Sequence, residues 1–205
     1  MIRNIIFDMG QVLIHWTPAQ MTALLELPEE DARLVERELF RNVEWVRLDR
    51  GTVTEDQAAD SVCRRLPQHL HDGVRRLTAG WWKWPLIPME GMAELVAELK
   101  AMGYGIYLLS NASIRLHEYF HRIPGAQYFD GKVVSADHKL LKPQAEIYRT
   151  LYAKYDLNPE ECVFIDDAPA NAEGAMLTGM QAIVFHGDTA RLRQELRAMG
   201  IMVSA

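Results

Sequence analysis

Asp8 closes a short apolar run, Ile5-Ile6-Phe7, and is followed at once by Met9-Gly10. The run reads as a buried strand, and a strand ending in a turn is where an open α/β sheet presents groups to a ligand. A carboxylate delivered there is a candidate nucleophile. Ile106-Tyr107-Leu108-Leu109 repeats the pattern and ends in Ser110-Asn111, a hydroxyl beside an amide. In Lys142-Pro143, proline disfavours helical conformation in the lysine before it and suits the start of a helix, which places the ammonium just ahead of one. Cys162-Val163-Phe164-Ile165 is a further apolar run, closed by Asp166-Asp167. Adjacent carboxylates repel unless a cation or basic partner lies near them, and a hard divalent ion bound through oxygens, of the Mg²⁺ type, suits such a pair. Each segment alone also fits a turn or a helix cap. Together they assemble a nucleophile, hydrogen-bond donors, an ammonium and metal-grade carboxylates, with three of the four closing apolar strands.

The elements that must position these groups are written in the hydropathy pattern. After residue 85 strand and helix signals alternate, as in a parallel sheet covered on both faces. Met92, Leu95, Leu99 and Met102 recur at helical spacing, with Gly103 as a stop before the Ile106 strand. Helices are expected over 144–155, 171–177 and 188–199, and a strand over 181–185. Between Thr17 and about Pro85 the pattern is helical without convincing strands, which marks an insertion. There Thr54 and Gln57 form a capping-box signature ahead of a helix over about 55–66, and Pro28 with Glu29, Glu30 and Asp31 marks another helix start. The turn-rich Pro85-Leu86-Ile87-Pro88 stretch is the best boundary.

The four segments in this order resemble the motifs of the haloacid dehalogenase superfamily of hydrolases: Phe7-Asp8-Met9-Gly10, Leu109-Ser110-Asn111, Leu141-Lys142-Pro143 and Phe164-Ile165-Asp166-Asp167. Ser-Asn, Lys-Pro and Asp-Asp look more narrowly like the bacterial branch containing an α-glucose-1-phosphate phosphatase. The resemblance implies a Rossmann-like doubly wound parallel sheet of the α/β class, formed by residues 1–16 and 86–205. It also implies a small helical cap, residues 17–85, inserted after the first strand. It further implies a phosphatase in which Asp8 attacks phosphorus to give an aspartyl phosphate. Mg²⁺ would be held by Asp8, the Gly10 carbonyl, Asp166 and Asp167. Ser110, Asn111 and Lys142 would bind the transferring phosphoryl group, the asparagine through its backbone or its side chain, and Asn171 would orient either the metal-bound water or the acidic pair.

This sequence departs from the family pattern at Gly10, where many of these phosphatases carry a second Asp as general acid and base. Losing a positioned acid costs about 10²–10⁴ in rate. Another group could protonate the leaving oxygen, His15 being the nearest in sequence; the leaving group could need little help, as in a hexose 1-phosphate; or turnover could be lost. Two alternative functions stand beside this one: the 2-haloacid dehalogenase chemistry of the same fold, which uses no metal and against which the Asp166-Asp167 pair argues, and a phosphate-ligand binding protein with catalysis weakened by Gly10. Trp45, Trp81, Trp82 and Trp84 read as packing residues.

The 205 residues carry a formal charge of −6 without a lysine-rich block, which argues against nucleic acid or an anionic membrane surface as the main partner. Two cysteines are too few for a disulfide framework, and no stretch approaches the ~20 apolar residues of a membrane span. The expectation is a cytoplasmic monomer or homodimer acting on a small phosphorylated metabolite.

Overall fold

The computed structural model describes residues 1–204. Its strands are β1 (Asn4–Phe7), β2 (Ile14–His15), β3 (Ile87–Pro88), β4 (Gly105–Ser110), β5 (Gly131–Val134), β6 (Cys162–Asp166) and β7 (Gln181–Val184). Its helices are α1 (Pro18–Ala23), α2 (Glu29–Val35), α3 (Val43–Asp49), α4 (Glu55–Cys63), α5 (His71–Gly80), α6 (Met92–Ala101), α7 (Leu116–Tyr119), α8 (Ser135–His138), α9 (Ala145–Tyr155), α10 (Pro169–Met176) and α11 (Thr189–Ala198).

Five strands make a parallel sheet in the order β5-β4-β1-β6-β7. The apolar runs explain both its depth and its layering, because strands buried on both faces read as continuous hydrophobic segments. Ile5 and Phe7 join one cluster with Leu95 and Leu99 of α6 and Leu196 of α11, whereas Ile6 joins the opposite cluster with Ile147 and Leu151 of α9 and Ala175 of α10. The fold is therefore an α/β sheet sandwiched between helical layers. β1 lies at its centre, and the chain leaves it toward both edges, so the crevice at the carboxyl ends of β4, β1 and β6 is the natural ligand position.

Helices α1 to α5 form a separate layer over that crevice, with Glu36–Phe40 continuing α2 as a π-helical segment. Local chemistry starts several of them: the Thr17 hydroxyl accepts the Gln20 N–H at 3.2 Å, and Thr54 with Gln57 closes a reciprocal capping box ahead of α4. A short antiparallel pair ties the ends of this layer together, Ile14 opposite Pro88 and His15 opposite Ile87.

Several local expectations need correction. Helix α4 stops at Cys63 rather than near residue 66, with Arg64 as its C-cap. Met102 lies beyond the last turn of α6 and is 41% exposed, so the buried stripe ends at Leu99. Pro143 does not open a helix; Gln144 is the N-cap of α9, which leaves Lys142 on a loop. Strands β2, β3 and β5 were not expected from the pattern: β2 and β3 are two residues each, too short to show a period, and β5 opens on Gly131-Lys132 and so has no continuous apolar run. Among the described residues no helix is long and apolar enough to cross a membrane.

Candidate active site

Sheet register brings the sequence-distant groups together. Phe7 pairs with Leu108 on one side and Ile165 on the other, so the next residue, Asp8, comes level with Leu109 and Asp166, one residue below Ser110. The Asp8 backbone N–H continues the ladder to the Ile165 carbonyl at 2.9 Å. Lys142 arrives from the loop before α9 and lies between the two carboxylates, with Nζ 2.8 Å from Asp8 Oδ1 and 2.6 Å from Asp166 Oδ2. All three side chains are buried.

That loop is fixed on two sides. Asn111 clamps the Lys142 backbone, its Oδ1 accepting the Lys142 N–H at 2.8 Å and its Nδ2 donating to the Lys142 carbonyl at 3.2 Å. The Asn111 side chain is thereby committed to the loop rather than to a ligand. Behind the loop, Gly174 of α10 permits a close approach, since a Cβ there would stand 2.8 Å from Pro143 Cβ and carbonyl oxygen.

Asp166 is saturated. Its Oδ1 accepts from the Ala168 N–H at 2.8 Å and from Asn171 Nδ2 at 3.0 Å, and its Oδ2 accepts from Lys142 and from Asn171 at 3.2 Å. These contacts fill the four or so lone-pair positions of a carboxylate. Asp167, by contrast, faces the cavity.

The electrostatics favour a cation. Oxygens of Asp8, Asp166 and Asp167 lie within 4.8 Å of one another. Asp8 Oδ1 is buried and, although Lys142 is near, has no partner in hydrogen-bonding geometry. Burial pushes the Asp8 carboxyl up to about 6; Lys142 pulls against this and Asp166 adds to it. Burial, reinforced by Asp166, also raises Asp167. Burial would lower the Lys142 ammonium, but Asp8 and Asp166 outweigh it and the net direction is upward. Three carboxylates around one ammonium, with an orphaned hard oxygen, fit an oxygen-liganded divalent ion.

The site opens into a cavity of about 470 Å³ between the sheet edge and the helical layer. Asp8, Gly10, Ser110, Asn111 and Asp167 line its floor. Trp16, Trp45, Trp81 and Trp82 line its walls, together with Asp49 and Glu55 from the helical layer. Three of those tryptophans, Trp45, Trp81 and Trp82, read as packing residues in the sequence. They do pack, Trp16 stacking on Trp45 at 5.4 Å and meeting Trp81 edge-on at 5.9 Å, yet the cluster also walls the cavity. His15 is not brought to the floor; it lines a smaller pocket beside Trp84 and Ile87. A half-buried carboxyl that the sequence did not single out, Asp49, is raised well above the ordinary range by burial and then by Asp8, with Lys142 opposing.

The roof is fastened where Asp49 sits. Ser135 Oγ donates to the Asp49 carbonyl at 2.5 Å and accepts from the Ala112 N–H at 2.9 Å, while Lys139 donates to the Gly51 carbonyl. Gly51 has φ +67°, and a Cβ there would lie 2.5 Å from the Ala136 carbonyl oxygen, so this contact requires glycine.

Residues 2–176 match the family model of the haloacid dehalogenase-like hydrolases. The chain belongs to this family. Among curated relatives, a sesquiterpene phosphatase of Aspergillus oryzae is 29% identical over 181 residues, 85% of each chain. A flavin mononucleotide hydrolase of Arabidopsis thaliana is 24% identical over 160 residues, 78% of this chain and 63% of that protein. Among solved structures, a family enzyme of Bacteroides thetaiotaomicron in complex with magnesium and inorganic phosphate superposes with a TM-score of 0.70 at 20% identity, covering 94% of this chain and 99% of that one. This haloacid dehalogenase-like hydrolase is accordingly an enzyme whose named relatives include phosphatases.

Proposed function

We propose that this hydrolase is a Mg²⁺-dependent phosphomonoesterase working through an aspartyl phosphate on Asp8. The observation that carries the reading is the buried Asp8–Lys142–Asp166 array at adjacent strand ends, facing a cavity floored by Ser110 and Asp167. The names of the phosphatase relatives support the reaction class.

Asp8, the Gly10 carbonyl and Asp167 would hold the ion directly. Asp166, whose oxygens are engaged, would act mainly by placing Lys142 and Asn171. When bound, the ion supplies positive charge that offsets repulsion between an anionic nucleophile and an anionic phosphate. The chain's own groups do the rest. Asp8 attacks phosphorus as the alcohol oxygen departs, and Ser110 Oγ–H with the Asn111 backbone N–H donates to the phosphoryl oxygens as charge builds on them. Lys142 balances Asp8 before attack and the phosphoryl group during it. Water then cleaves the acyl phosphate, which regenerates Asp8 and releases inorganic phosphate.

The proton that Gly10 cannot give falls to Asp49 in this reading. It lines the same cavity, and burial, with Asp8 nearby, raises its carboxyl in the direction that favours the protonated form. Gly10 leaves room as well, since a Cβ there meets nothing nearer than Trp16 Cβ at 3.9 Å, so its lack of a carboxyl is not imposed by crowding. The reaction class extends to phosphate monoesters of small metabolites generally, the hexose 1-phosphate included, and the cavity wall rather than the floor selects among them. Phosphate release from an aryl phosphate, with and without Mg²⁺, in the natural protein and in Asp8→Asn, tests it. Metal-dependent release lost in the variant is the expected result, and equal release from both proteins would overturn it.

A further inference from the structure

The cavity wall beyond the phosphoryl site offers little to a polar or charged ligand. Most of its hydrogen-bonding side chains are engaged within the chain. Gln11 Oε1 accepts the Trp16 N–H at 2.7 Å, and the Thr78 hydroxyl donates to the Val74 carbonyl at 3.0 Å. The Thr17 hydroxyl is shared with Gln20, and both Glu55 oxygens are taken by Arg115 at 3.1 and 3.3 Å. Among the described residues no lysine or arginine lines the cavity. Lys142 is sealed behind Asp8 with its side chain 1% exposed, and Arg115 is neutralised by Glu55 and Glu118.

What remains exposed to a ligand is aromatic and aliphatic: Trp16, Trp45, Trp81, Trp82, Tyr119 and Leu48. An anionic group on the far end of a substrate would enter a pocket already holding Asp49 and Glu55 without a free cation, and a buried unpaired charge is strongly disfavoured. The Trp16 indole N–H, buried without a partner, and the Asp49 carboxyl are the groups left to a polar ligand, fewer than the several hydroxyls of a sugar would need to replace their water. A hydrocarbon body loses nothing and gains the wall.

Resting on the phosphatase reading above, we infer that the alcohol half of the substrate is uncharged and apolar, a fused aromatic or an isoprenoid alcohol. This selects against phosphosugars, nucleotides and phosphorylated acids, and it also disfavours a 2-haloacid, whose carboxylate would find no cation here.

The test uses esters of primary alcohols, so that the leaving groups match: 1-naphthylmethyl phosphate, geranyl monophosphate and glucose 6-phosphate, with Mg²⁺. Burying about 100 Å² of apolar surface corresponds to roughly a 70-fold gain. The expected result is therefore kcat/KM about 10²-fold higher for one or both apolar esters, and the preferred one identifies the aromatic or isoprenoid source. Trp45→Ala should raise KM for that ester at least about tenfold, several times more than it raises KM for glucose 6-phosphate. Because a wall substitution can loosen the cap, tryptophan fluorescence of Asp8→Asn is titrated in parallel. Saturable quenching by the apolar esters but not by glucose 6-phosphate supports the inference. Equal or better turnover and binding of glucose 6-phosphate overturns it while leaving the phosphatase reading intact. Failure to release phosphate from any ester, an aryl phosphate included, overturns the phosphatase reading instead, and the fluorescence titration still decides what the wall accepts.

Discussion

The floor of the cavity and its roof are built by different routes. Each floor residue ends a strand or sits in a short loop beside one, so sheet register alone sets Asp8 level with Asp166 and one step below Ser110. The roof is gathered from the segment after β2, from α3, from the segment after α5 and from α7, and its aromatic groups meet only through packing. Charge is concentrated on the floor and nearly cancelled on the roof. Reaction type accordingly belongs to the backbone, whereas choice of alcohol belongs to side-chain assembly, and the two should respond differently to substitution.

The largest effect should come from the floor. Asp8→Asn removes the attacking oxygen and should lower kcat by at least about 10⁴-fold. It should not unfold the protein: burial disfavours the charged form of Asp8, so a neutral isostere relieves that cost. Steady-state kinetics with a thermal melt would check both halves, and retained turnover would end the claim that the floor sets the chemistry. Lys142→Met comes next, at about 10³-fold. Here the melt should also fall, because two buried carboxylates lose their partner, and added Mg²⁺ should restore part of the loss. A melt indifferent to the ion would count against the acidic cluster as its site.

How far each region could be read in the sequence follows the same division. Ile5-Ile6-Phe7 and Cys162-Val163-Phe164-Ile165 announce buried strands by composition, and whatever follows such a run lies at the sheet's carboxyl edge. Asp8, Ser110 and Asp166 were thus legible before any coordinates. Asn111 was half legible: its place was evident, but that its side chain would clamp the Lys142 backbone depends on a loop whose path no periodicity encodes. Asp49 was invisible. It ends a short helix with no clear apolar stripe, Val43 and Val46 being exposed and Glu44 buried, and the docking of Gly51 on the Ser135–Lys139 turn carries it over Asp8's cavity. The tryptophans read as packing residues, because a residue that packs and also walls a cavity has the same sequence signature as one that only packs.

Asp49→Asn asks whether the roof takes any part in chemistry. With its acid gone, turnover of alkyl esters should fall about 10²-fold, while an aryl ester, whose phenolate departs unaided, should change less than about tenfold. Gly10→Asp in the same background should recover part of the alkyl rate, since a Cβ fits at that position. Equal loss on both ester types would mean that Asp49 acts by holding the cap in place, and the roof would return to a purely selective role.

The smallest effect on turnover should come from within the cap, away from the cavity. Glu44 is buried and accepts Arg65 at 2.9 Å and the Ser61 hydroxyl at 2.7 Å. Burial alone would raise its carboxyl, but these donors outweigh it and hold it at about 2. A depressed folded value means that the contribution is fully present above the ordinary value of 4.5 and is lost as pH falls toward 2. Glu44→Gln should therefore cost about 2 kcal/mol near neutrality, in the lower range for charged hydrogen bonds because Arg65 remains 35% exposed. That cost should fade in acid, and kcat on a small aryl ester should stay within about twofold. Denaturant titrations at several pH values would resolve the trend. A pH-independent difference would locate the defect in packing, and a large drop in kcat would show that the cap's internal stability is coupled to the floor after all, which is the one result that would dissolve the division between the two regions.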